Sequence, residues 1–243
     1  MNTKGKTSIK ERKTKMTAAA LMRLAGASAM LAGLCFIVIG MFHQVNIPAS
    51  VTTATWVNVH IVATALGYFG LLGMTGLYAR QVEESGWLGL IGFVLFTAWM
   101  TLVCGFSFVE AFILPHLATA SPAFVEGVLG MLTGVPSAVD LGVLPALWNL
   151  SGLLIILGPL LFGIATFRAR VLPRWAGGLL ALSAVLVPIG ALVPAEYQPE
   201  VAMTPIGLAL VWLGYALFAE RRARASESLL AQRTVEPEPS QVA

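Results

Sequence analysis

The stretch "GLYARQVEESGWLGLIGFVL", residues 76–95, decides how the chain folds. One apolar run closes on it with Tyr78 and Arg80, and a second opens at Trp87. Each run is long enough for a membrane helix, which takes roughly 20 predominantly apolar residues. The polar residues between the runs separate two spans.

Working outward from this pair, six segments reach that length: about 24–43, 55–78, 87–114, 143–167, 175–194 and 201–219. The last two are divided by "VPAEYQPE" (193–200), whose prolines and acids mark a tight turn. The first follows a basic segment, but its apolar stretch is too long for the core of a signal peptide. No clear small-x-small cleavage site follows it, so it reads as an uncleaved anchor. The expected fold is therefore all-α, a polytopic bundle of six transmembrane helices over residues 21–222. A basic cytoplasmic tail (1–20) precedes the bundle and a cytoplasmic C-terminal tail (223–243) follows it.

Composition agrees. The chain has 243 residues, of which 57% are hydrophobic and 11% charged, with a mean hydropathy of +0.82. Soluble domains carry about a quarter charged residues. The formal charge of +3 sits in short segments between apolar runs. Nucleic acid as a partner would need a basic face with stacking aromatics, and none is visible. Cys35 and Cys104 lie inside apolar runs without a CxxC motif or a disulfide framework, and are expected to be small buried hydrophobes. No serine-hydrolase, phosphate-loop, dinucleotide or HExxH motif is present, and no span contains the lysine that a retinal Schiff base requires.

Orientation follows from the basic residues. Lys4, Lys6, Lys10, Arg12, Lys13, Lys15 and Arg23 precede the first span, and Arg80 lies between the second and third. Arg168, Arg170 and Arg174 lie between the fourth and fifth, and Arg221, Arg222, Arg224 and Arg233 follow the sixth. These are all 15 Lys and Arg of the chain, and with six spans every one falls on one side. The positive-inside rule then predicts both termini in the cytoplasm of a bacterial inner-membrane protein. The longest outside segment is 115–142. Within it Ser121 and Pro122 suit the start of a short surface helix that turns Phe124, Val128 and Met131 toward lipid or protein.

Ionisable groups inside a membrane are costly and usually face a bundle interior or a wet cavity. Glu110, in "GFSFVEAFILPH" (105–116), lies about 8 Å below the expected outer boundary at 1.5 Å per residue. His60 lies at a similar depth and Asn149 roughly 9 Å down on a third helix. Ser107 and Trp99 share the face of Glu110, while Thr64 and Gly67 continue the face of His60. Pro145 and Gly152 form a small-residue face around Asn149. His60, Glu110, Asn149 and Ser107 are thus the candidate ligand-binding residues of a polar pocket in the outer half. Beside this stands a plainer reading. His60 would reach lipid headgroups, Glu110 would be a protonated structural clasp, and Asn149 would hold helices together. His43 and His116 belong to the outer rim. Trp56, Trp87, Trp148, Trp175 and Tyr197 fit an aromatic belt.

Three functions compete. The pocket would bind or transport a small cationic or amphipathic ligand, linked to a proton on the buried carboxyl. Alternatively, the chain is a structural or accessory subunit whose polar layer only fixes helix packing and whose function lies in contacts with a partner, either a membrane subunit or another copy. The histidines and Glu110 would otherwise ligate zinc, copper or haem, although no dense ligand motif supports that. No cofactor is named by the sequence. Trp56 and His60, "GLYARQ" (76–81), "GFV" (92–94), "PHLA" (115–118) and "RARVLPRWAG" (168–177) carry a resemblance to a group of bacterial six-span integral membrane proteins. It implies the same architecture over roughly residues 20–222 and brings no activity with it.

Overall fold

A computed structural model describes residues 16–190, 192 and 202–235, with side chains as far as residue 219. The "VPAEYQPE" turn with Tyr197, and the lysines and arginine of residues 1–15, lie outside the described residues. Among those described, all regular structure is helical: α1 (Ala18–Phe42), α2 (Pro48–Val51), α3 (Ala54–Phe112), α4 (Leu114–Ala120), α5 (Pro122–Thr133), α6 (Leu144–Ala169), α7 (Arg174–Gly190) and α8 (Thr204–Val235).

Three helices, α1, α3 and α6, are long and apolar enough to cross a membrane. The apolar parts of the fifth and sixth expected spans, Arg174–Gly190 and Thr204–Ala219, are shorter. The second and third expected spans are merged in the 59-residue α3, whose helical geometry breaks at Gln81 (φ −125°, ψ 16°) and Gly86 (φ 55°, ψ −157°). The break falls inside residues 76–95. Gly86 adopts a backbone conformation that side chains rarely tolerate. The two arms, 54–80 and 87–112, fold back on each other. Tyr78 stacks on Phe93 near the bend with ring centroids 4.6 Å apart, Gly67 abuts Met100 and Cys104 midway, and Trp56 meets Glu110 at the open end.

Thr17 and Thr53 start α1 and α3 by accepting hydrogen bonds from Ala20 N and Trp56 N at 3.1 and 3.2 Å. At the other end of the chain, α8 continues to Val235, past the expected start of a tail at 223. The segment "AERRARASESLLAQ" is rich in strong helix formers, which extend a helix already nucleated by packing.

The long helices form a closed ring in the order α8, α1, first arm of α3, second arm of α3, α6, α7 and back to α8. Glycines set most of its junctions. A Cβ on Gly26 would lie 2.8 Å from the carbonyl oxygen of Gly214, and Gly33 faces Gly207 in the same way one heptad on. Gly73 rides on Ala29, Gly92 on Phe162, Gly158 on Phe96, and Gly163 on Gly177. Such contacts bring helix backbones together so that dispersion forces act over short distances. The core inside the ring is built from Phe36, Leu66, Met74, Phe96, Met100, Phe162, Leu180 and Leu210 among others.

One end of the ring carries a roof. α2, α4 and α5 pack together there around Val51, Trp56, Leu114, Val125, Val128, Leu129 and Leu141. α5 is the expected short helix with Pro122 at its start, although the Ser121 side chain makes no capping hydrogen bond. Val128 is buried in the roof with Phe124 and Met131 packed against it, so this helix faces protein.

Candidate functional site

Beneath the roof is a cavity of about 520 Å³. Every rod of the ring except α8 supplies wall residues, and Met203 stands just before α8. Most of the wall is apolar or aromatic. Its polar side chains are His43, Asn46, His60, Ser107, Glu110 and Ser151.

His60 and Glu110 meet at this wall. Both are buried, 3% and 8% exposed, on opposite arms of α3. The fold of α3 at Gln81–Gly86 therefore brings them together. His60 Nδ1 lies 2.8 Å from the Trp56 carbonyl oxygen one turn earlier. A carbonyl only accepts, so Nδ1 carries a hydrogen and donates it, which leaves Nε2 to face the carboxyl. His60 Nε2 is 3.4 Å from Glu110 Oε2, within ion-pair reach and slightly long for a good hydrogen bond. Between those two atoms there is room for one proton, held either by the carboxyl or by the imidazole.

The surroundings fix this pair. The Trp56 indole N–H donates to the Glu110 backbone oxygen at 3.0 Å, near the end of α3 where carbonyls run out of helical partners. Trp56 also lies against the His60 ring, with centroids 4.2 Å apart. Ser107, buried one turn before Glu110 on the same arm of α3, lines the cavity beside it. His43, just past the end of α1, sets its ring edge-on to His60 at 5.3 Å and lines the same cavity. Thr64 donates to the His60 carbonyl oxygen at 2.9 Å and so steadies that turn.

Three of the four candidates from the sequence, His60, Glu110 and Ser107, come together, and Trp99 joins them on the wall as its face predicted. Asn149 does not join them. It is exposed, and α6 turns Trp148, Ser151, Gly152, Ile155 and Ile156 into the cavity instead. Counting depth along a helix sets the level of a residue, whereas each step of 100° sets its face, and Asn149 lies one step from Trp148. His116 is exposed on α4, away from the site. Trp56 is 0% exposed, and Trp148 lies in the wall edge-on to Phe106, so neither is part of a lipid-facing belt. Trp87 and Trp175 are exposed, as a belt requires. Cys35 and Cys104 are free and half-buried.

Asn46 and Ser151 are wall residues that sequence reasoning passed over, and His43, expected only at the outer rim, is a third. A histidine at the end of an apolar run carries no mark that separates a rim position from a cavity wall. Among the described residues, no three His, Cys, Asp or Glu side chains are grouped to hold a metal ion. The arrangement suits two chemical tasks: storing one proton between His60 and Glu110, and presenting a carboxylate to a cation in an apolar chamber. No family model, curated protein or solved structure matches the chain, so the chemistry of the site rests on its own geometry.

Proposed function

We propose that this protein binds a small cationic or amphipathic ligand in the roofed cavity, linked to a proton on the His60–Glu110 pair. The observation that carries the reading is the 3.4 Å approach of these two groups in the wall of an otherwise mostly apolar chamber. A chamber of about 520 Å³ falls in the range of small-molecule sites, which are mostly apolar with a few placed polar groups. An ammonium group entering it would interact with the Glu110 carboxylate, and the proton formerly shared with His60 would leave. Aromatic side chains on the wall, Phe36, Trp99, Phe106 and Trp148, would take the apolar body of the ligand or the flank of a cation.

The membrane setting belongs to the same proposal. The chain crosses a bacterial cytoplasmic membrane six times, with both termini inside. The crossings are α1, the two arms of α3, α6, α7 and the apolar part of α8. Support comes from the segregation of all 15 Lys and Arg and from the bend that divides α3. In this orientation the roof and the His60–Glu110 pair lie in the outer half.

Infrared titration of the carboxyl groups in the purified protein, compared with Glu110→Gln, tests the reading. The expected result is a protonated-carboxyl band that is absent from the variant and moves in its titration when an alkylamine is added. A band indifferent to every amine would identify Glu110 as a structural clasp and favour an accessory subunit.

A further inference from the structure

We infer that the turn between α6 and α7 holds the headgroup phosphate of an anionic phospholipid, with Arg174 as its anchor and the exposed face of α7 as the bed of an acyl chain. This rests on the membrane setting proposed above and is independent of the cavity. The turn concentrates charge, since Arg168, Arg170 and Arg174 fall close together in the chain. Arg168 and Arg170 are exposed and Arg174 is half-buried. Among the described residues none of the three has an acidic partner. Glu83 and Glu84 stand exposed on the α3 bend, which the Gln81–Thr166 hydrogen bond ties to this end of α6, and they do not pair with these arginines.

Arg174 is held in place by aromatic rings. Its guanidinium carbon lies 4.2 Å from the centroid of the Phe167 ring and 5.3 Å from that of Trp175. Those two rings meet edge-on, with centroids 5.4 Å apart. Gly178 leaves room for them, since a Cβ there would lie 3.2 Å from Phe167 and 3.9 Å from Trp175. The rings restrain the side chain without neutralising it, and its Nε is buried with no acceptor. Rotamer freedom is thus spent before a phosphate arrives, and the planar guanidinium matches phosphate oxygens. Uncompensated charge on three arginines favours a headgroup that carries no cation of its own.

A soluble phosphate would need only that charge, whereas α7 offers more. Trp175, Leu182 and Val185 are all exposed. They lie within about 80° of one another around the helix at 100° per residue. From Trp175 to Val185 this apolar stripe runs about 15 Å, half of the roughly 30 Å hydrocarbon core of a bilayer. An exposed tryptophan where charge gives way to the stripe suits the headgroup level. Charge above and apolar surface below match the two parts of a phospholipid.

The test uses the full chain in lipid nanodiscs and phospholipids brominated near the carboxyl end of an acyl chain, whose bromine quenches tryptophan fluorescence. Trp175→Phe identifies the part of the quenching that belongs to Trp175. Brominated phosphatidylglycerol is expected to quench that part at a mole fraction roughly fivefold lower than brominated phosphatidylcholine. Arg170→Gln combined with Arg174→Gln is expected to remove the preference, while Arg23→Gln on α1 keeps it. A large excess of inorganic phosphate should leave the preference unchanged. The two lipids are compared in the protein with all its arginines, so that result stands even where the double variant does not fold. Equal quenching by both lipids, or a preference that survives the double variant, overturns the headgroup site and leaves the membrane setting intact. Loss of the preference to inorganic phosphate assigns the turn to a soluble anion and overturns the lipid. No quenching of Trp175 by either lipid overturns the membrane setting, and this inference with it.

Discussion

Glu110 and His60 are held as a unit, because Trp56 touches both. A cation needs that carboxyl ionised, so acid competes with the ligand. Alkylamine affinity is expected to rise with pH as the shared proton leaves, and to lose this pH dependence in Glu110→Gln. Isothermal titration across pH checks the slope. The same variant keeps shape and hydrogen bonding, so its helicity should match the parent by circular dichroism. A second buried polar contact lies far from the site, where the Gln81 side chain, 0% exposed, donates to the Thr166 hydroxyl at 2.9 Å. Thr166→Val leaves that amide buried without an acceptor and is expected to cost about 1–3 kcal/mol, measurable by unfolding in mixed micelles. Ligand binding should be unaffected.

At the scale of helices, the junctions depend on the absence of side chains. A methyl group at Gly33 would run into the backbone carbonyl of Gly207, and backbone has little freedom to yield. Gly33→Ala is expected to lose about 1–3 kcal/mol through overpacking, seen as a lower melting temperature. Gly105 has nothing within 4 Å of its absent Cβ. Gly105→Ala should therefore be neutral, or gain up to about 1 kcal/mol from helix propensity. Gly86 has open space too, yet its φ of 55° lies where L residues are strained. Gly86→Ala should cost about 1–3 kcal/mol and weaken the bend that brings His60 to Glu110.

For the whole molecule, the proposed six-crossing topology puts Glu84 and Asp140 on opposite sides of a membrane, and both are exposed. In a Cys35→Ser, Cys104→Ser background, Asp140→Cys is expected to react with an impermeant maleimide in intact cells. Glu84→Cys should react only after permeabilisation. Labelling of both from the same side would remove the six-crossing topology. It would also remove the assignment of the cavity to the outer half.

Much of this molecule was legible in its sequence, since apolar runs of about 20 residues suit helices, which satisfy their own backbone hydrogen bonds. The helical class, the break within residues 76–95, the short helix after Pro122 and the shared face of Glu110 and Ser107 all follow from local runs and 100° steps. The extension of α8 was not legible, because its charged segment lacks an apolar stripe and continues on helix propensity. The site was legible in depth but not in direction. Depth is linear in residue number, so His60, Glu110 and Asn149 were expected in one layer. Which of them converge depends on how each helix is rotated about its axis. Contacts such as Gly67 on Met100 and Gly92 on Phe162 set that rotation. Those contacts turned Asn149 outward and Ser151 inward. They also closed a ring around a space no run of residues encodes, because a cavity is a property of several helices at once.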